Sequence, residues 1–113
     1  MIQIYHNSRC SKSRCGLEII EKSGKPFKII KYLEDTPSYN ELKNIINLLG
    51  ISPIQLVRKN EAIWKENYKN QDFSENELIE IMVENPKLIE RPIVINGSKA
   101  IIGRPPEKVL DII

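Results

Sequence analysis

Residues 2–33 constrain the fold more than any other stretch. Ile2 and Ile4 alternate with polar neighbours up to His6, the period of a half-buried strand. From Ser13 to Ser23 the apolar residues Leu17, Ile19 and Ile20 give a helical stripe, and Gly24 is a natural helix stop. Pro26 then opens Phe27-Lys28-Ile29-Ile30-Lys31-Tyr32-Leu33, a second strand. Strand, helix and strand within about 30 residues make a βαβ unit, so the two strands should be parallel with a right-handed crossover.

The far end of the chain carries a different signal. Arg91-Pro92 leads into Ile93-Val94-Ile95, then Asn96-Gly97, then Ala100-Ile101-Ile102, and Asn-Gly between two apolar runs predicts an antiparallel hairpin. A last helix is expected over 105–112, with Val109 and Leu110 apolar. Between the two ends lie helical patterns. Ser38 with Glu41 and Ser74 with Glu77 read as capping boxes, Gly50 as a stop, and Ser52-Pro53 as the start of a short helix. Residues 60–73 read as a short helix and a loop with Trp64, Tyr68 and Phe73 interspersed. A parallel pair followed by a hairpin gives an α/β, thioredoxin/glutaredoxin-like plan. It has a four-stranded mixed sheet with flanking helices, and a helical insertion at about residues 38–90 between the βαβ and ββα halves. The expectation is one domain over residues 1–113.

Composition narrows the class of partner. With 41% hydrophobic and 28% charged residues, the chain can build an ordered core. A net charge of +2 is too small to argue for nucleic acid or a membrane surface. No apolar run reaches the roughly 18 residues of a membrane helix, and the start of the chain lacks a signal-peptide layout. A cytoplasmic location is therefore expected, where thiols stay reduced. Two cysteines and one histidine argue against a zinc site, and no metal is expected.

The candidate chemistry sits in Tyr5-His6-Asn7-Ser8-Arg9-Cys10-Ser11-Lys12-Ser13-Arg14-Cys15. Cys10 falls in the turn from strand to helix, where free N–H groups favour a thiolate, and Arg9, Lys12 and Arg14 add positive charge. Cys10 to Ser13 is a C-x-x-S spacing, the monothiol variant of a redox C-x-x-C. Cys15 is five residues on, about 140° round a helix axis from Cys10, so it reads as a packed helix thiol before a resolving one. His6 leaves two roles open, an imidazole bonded to the backbone or a group that lowers the Cys10 pKa. Arg58, Arg91 and Arg104 each stand at an element junction and together suggest a pocket for a tetrahedral oxyanion. In a thioredoxin-like plan, Pro92 would be a cis proline beside the cysteine turn.

Five ordered segments then resemble the glutaredoxin-linked arsenate reductases. They are Ile4-Tyr5-His6-Asn7 with Cys10 and Ser13-Arg14; Tyr32-Leu33; Leu56-Val57-Arg58-Lys59-Asn60; Glu90-Arg91-Pro92-Ile93-Val94; and Gly103-Arg104-Pro105-Pro106-Glu107. The resemblance implies that Cys10 attacks arsenate, and that Arg58, Arg91 and Arg104, with Ser13, hold the oxyanion. It implies that His6 depresses the cysteine pKa. No cofactor would be bound. Glutathione would act as co-substrate, and glutaredoxin (or thioredoxin) would complete reduction to arsenite. The chain departs from the usual pattern at Ser8, where proline is common, and at Cys15, where asparagine is usual. Two other activities belong to the same fold, a glutathione-dependent thiol–disulfide oxidoreductase and a redox-sensing transcription regulator that binds RNA polymerase. The three arginines speak against the sensor.

Overall fold

A computed structural model describes residues 1–113 and divides them into two compact units. The first comprises Met1–Asp35 with Arg91–Ile113, and the second Thr36–Glu90.

In the first unit four strands, β1 (Ile2–Tyr5), β2 (Phe27–Ile30), β3 (Ile93–Asn96) and β4 (Lys99–Ile102), form one sheet in the order β2-β1-β3-β4. β1 and β2 are parallel, with Ile4 opposite Ile29; β1 and β3 are antiparallel, with Ile4 opposite Val94; β3 and β4 close the hairpin. The mixed sheet is the one expected from the order of the elements. Helix α1 (Ser11–Ser23) follows β1 and ends on Gly24 in the left-handed region, φ 71. Ile2, Ile4, Ile20, Val94 and Val109 are the buried centre, with Leu17, Phe27 and Ile101 among the residues packed against it. Removing each such side chain from water is worth roughly 1.5–3 kcal/mol.

Three local expectations change. The second strand stops at Ile30, because the Glu34 and Asp35 N–H groups both bond back to the Lys31 carbonyl and turn the chain, leaving Tyr32 buried in a turn. The hairpin loop is Gly97-Ser98, with Asn96 still paired to Lys99; Gly97 takes φ 63 at the first loop position, and the Asn96 amide donates to the Ile112 carbonyl at 2.6 Å. The terminal helix is a 3₁₀ segment over Pro106–Asp111, short and opened by two prolines. The Arg91–Pro92 and Arg104–Pro105 bonds are both cis; only the first was anticipated.

The second unit is helical: α2 (Tyr39–Leu49), α3 (Pro53–Leu56), α4 (Ala62–Asn67) and α5 (Glu75–Glu84), with a 3₁₀ turn at Pro86–Leu88. Ser74 and Glu77 form the full capping box at 3.2 and 2.8 Å. At α2 only the Ser38 half is made, from Glu41 N–H to Ser38 Oγ at 3.2 Å. Leu42, Ile45 and Ile46 of α2 and Leu78, Ile79 and Met82 of α5 are buried, and these helices pack on each other. Trp64, Tyr68 and Phe73 form one aromatic cluster, with ring centroids 5.7–6.2 Å apart. A single bridge joins Val57 to Ile89. It is flanked by Arg58 N–H to Leu88 carbonyl at 2.7 Å and Glu90 N–H to Leu56 carbonyl at 2.8 Å.

Gly103 is a close-approach position in the first unit. A Cβ there would lie 2.9 Å from Pro92 Cγ, a rigid ring atom, and 3.1 Å from Val109 Cγ2. Gly103→Ala should therefore destabilise the protein by about 1–3 kcal/mol, read as a lower urea midpoint at unchanged m-value.

Candidate functional site

The site is built where β1 hands over to α1. Asn7 shapes the loop. Its carbonyl accepts from Cys10 N–H at 3.0 Å and its side-chain oxygen from Arg9 N–H at 3.0 Å. Cys10 is the N-cap of α1, with extended φ −97 and ψ 122, and its carbonyl accepts the first helical bond from Arg14 N–H at 3.0 Å. The sulphur stands at the open end of the helix, half-buried. The Cys10 side chain makes no formal capping bond, and the Ser13 and Lys12 N–H groups at the helix start favour its charged form.

Those amides and the Arg91 guanidinium compete with desolvation. Burial pushes the Cys10 pKa up. The Ser13 N–H, the Arg91 side chain and the Lys12 N–H together outweigh it and hold the thiol below its ordinary value. Arg104 Nη1 lies 3.9 Å from the sulphur and also donates to the Arg91 carbonyl at 3.1 Å. Cys10 thus has a backbone-amide side and a guanidinium side. The second comes from residues 81 and 94 positions further along the chain.

His6 and Ser13 meet behind the loop. His6 Nδ1 is 2.6 Å from Ser13 Oγ, and Asn7 N–H donates to the same oxygen at 3.0 Å. The Ser13 hydroxyl is fully buried and engaged by these two groups; what it offers the sulphur is its backbone N–H. The His6 pKa is lowered, first by burial and then by the Lys31 and Arg14 charges, against smaller opposing effects of Glu21 and Ser13. A neutral imidazole is the result at neutral pH.

The other sequence candidates separate clearly. Cys15 is exposed on α1 rather than packed, because the buried face runs through Ser13, Gly16 and Ile20. Arg58 belongs to the second unit, where its guanidinium pairs with Glu90 at 3.4 Å and Glu61 at 3.6 Å. The sequence reading pairs neither carboxylate with Arg58, although Glu61 stands three residues after it and Glu90 opens the segment Glu90-Arg91-Pro92. No three His, Cys, Asp or Glu side chains are grouped to hold a metal ion, and no helix is long and apolar enough to cross a membrane.

A four-stranded mixed sheet with flanking helices and a cysteine in the turn after its first strand defines a thioredoxin-like protein. The sequence and fold comparisons narrow that class. The ArsC family model matches residues 5–112, and the chain belongs to the ArsC family. An arsenate reductase of Haemophilus influenzae is 48% identical over 112 residues, covering 97% of each chain. An uncharacterised protein of Escherichia coli K12 is 45% identical over 114 residues, covering 99% of this chain and 96% of its own. Among solved structures, an arsenate reductase from Vibrio cholerae superposes with a TM-score of 0.93 at 45% identity, covering 99% of this chain and 97% of that one.

The His6 environment has a consequence for stability. The folded protein holds the imidazole proton more weakly than the unfolded chain, whose histidine titrates near 6.5. As pH falls below that value the unfolded state takes up the proton first, so the His6 contribution is complete above 6.5 and is lost as pH falls through the folded pKa. Urea midpoints should decline between pH 7.5 and 5.5 in the parent protein, and His6→Asn should flatten that decline.

Proposed function

We propose that the protein is an arsenate reductase with Cys10 as its nucleophile. The observation that carries this reading is the Cys10 sulphur, held toward the thiolate by amides at the start of α1 and by Arg91, with Arg104 at 3.9 Å. A thiolate next to two guanidinium groups is equipped to receive a tetrahedral oxyanion and attack its central atom. The family and the names of its arsenate-reducing relatives support arsenate as that oxyanion.

In the proposed reaction the Cys10 sulphur bonds to As(V) and one arsenate oxygen leaves as water. Arg91 and Arg104 neutralise the oxygens that remain, a preorganised form of charge stabilisation. Glutathione then bonds to the arsenic as a second oxygen leaves as water, and a glutaredoxin thiolate attacks the glutathione sulphur, so that the As–S bond to glutathione breaks and its electron pair stays on arsenic; water then cleaves the Cys10–As bond and restores the Cys10 thiol. Two thiols become one disulfide while As(V) becomes As(III), which leaves as arsenite. Arg58 enters the proposal on the family resemblance, as a third oxyanion-binding arginine. Cys15 is left out of it. On a regular helix, Cα atoms five residues apart are separated by roughly 8–9 Å, beyond the roughly 7 Å reach of a disulfide.

The test is arsenite formation with glutathione and glutaredoxin supplied. Cys10→Ser should abolish it, and Cys15→Ser should leave it intact. Arg91→Lys should slow it by about tenfold to a hundredfold, since a point charge replaces a two-pronged donor. Turnover of a glutathionylated substrate with no arsenite formed would replace the proposal with a thiol–disulfide oxidoreductase.

A further inference from the structure

Arg58 lies between two carboxylates of its own unit. Its backbone is fixed by the bridge between Val57 and Ile89, where Arg58 N–H donates to the Leu88 carbonyl at 2.7 Å and Glu90 N–H to the Leu56 carbonyl at 2.8 Å. In this antiparallel register Arg58 and Glu90 are diagonal neighbours, a separation that long side chains span, and Arg58 Nη1 donates to Glu90 Oε1 at 3.4 Å. Glu61 comes from the other direction. Its N–H bonds the Arg58 carbonyl at 3.2 Å, it is the N-cap of α4, and its carboxylate lies 3.6 Å from Arg58 Nε. The three side chains are 21–29% exposed.

Both contacts are loose. A tight charge-assisted bond is about 2.7–2.9 Å long, and Arg58 Nε is buried without a hydrogen bond. Neither pair uses Nη2. A guanidinium has five N–H donors, so this arrangement aims the group without saturating it. We propose that Glu61 and Glu90 are positioning residues for Arg58: they hold its guanidinium from two sides and leave Nη2 to take an oxygen of the bound oxyanion. The proposal rests on the oxyanion-binding role given to Arg58 above. A mobile arginine loses the freedom of several rotors when it grips a ligand, and one already held loses less, so the ligand binds more tightly. Charge alone would act with the opposite sign, because two carboxylates beside one guanidinium repel an anion. Solvent weakens that repulsion at side chains more than a quarter exposed, whereas it does not relax the backbone bonds that set the three residues side by side.

The test is protection of Cys10 from alkylation by added arsenate, in a Cys15→Ser background, which reads oxyanion binding without turnover. Glu90→Ala and Glu61→Ala should each raise the half-protecting arsenate concentration by about twofold to fivefold. Glu90→Gln, which keeps an oxygen acceptor and loses the charge, should restore most of the binding. In an Arg58→Ala background the two alanine changes should add nothing further, which separates a hold on Arg58 from a general loosening of the fold. An unchanged or lowered concentration in Glu90→Ala and Glu61→Ala, or an equal rise in the Arg58→Ala background, would overturn the proposal. Protection with no arsenite formed by the unmutated protein would end the reductase reading alone, and the alanine series would still decide the role of Glu61 and Glu90.

Discussion

Everything in the site depends on holding a partly desolvated sulphur at the N-terminus of α1. Burial opposes the thiolate, and it is the largest single influence on Cys10. It is overcome only by several smaller effects acting together: amide dipoles of Ser13 and Lys12, and the guanidinium of Arg91. Each is modest alone, and each requires its donor to stay aimed at one atom. The buried Ser13–His6 contact and the Asn7 loop bonds brace the turn that carries these amides.

The sheet supplies the other half. Because β1 lies between β2 and β3, the loop after β1 opens on the same sheet end at which β3 begins and β4 finishes. Arg91 precedes β3 and Arg104 follows β4, so the antiparallel β1–β3 pairing and the β3–β4 hairpin bring two cations to a cysteine far away in sequence. The two arginines are also coupled, since the Arg91 carbonyl accepts from Arg104. Gly103, with no side chain, lets the chain pass over Pro92 and Val109 on the way from β4 to Arg104. Fold and site share these residues, and packing changes near Pro92 would reach the sulphur through them.

Much of this was legible in the sequence, for identifiable reasons. Strands and helices were readable where apolar period, caps and stops agreed, as at β1, α1 and the Ser74–Glu77 box. The second strand was overrun because Lys31-Tyr32-Leu33 continues the alternation, while the actual turn is made by backbone bonds to the Lys31 carbonyl that leave no local signature. Cys10 stood out by its basic neighbours and its position before a helical run. Arg91 and Arg104 stood out by lying at element junctions and within the segments that carry the family resemblance; their approach to Cys10 is a product of strand pairing. The engagement of Ser13 by His6 and Asn7 was hidden because nothing in a C-x-x-S spacing tells that the serine faces inward. The Glu90 partner of Arg58 was hidden for a similar reason, since its role comes from the bridge at Val57 and Ile89, whereas Glu61 meets Arg58 through a local turn three residues long.

The most direct measurement is the rate of Cys10 alkylation across pH in the Cys15→Ser protein, with and without arsenate. A thiolate held by amides and guanidinium groups predicts a midpoint below that of a free thiol, and a reaction slowed when arsenate occupies the arginines. A midpoint at or above the free-thiol value, with no protection by arsenate, would contradict the assignment of Cys10 as an activated, oxyanion-facing nucleophile.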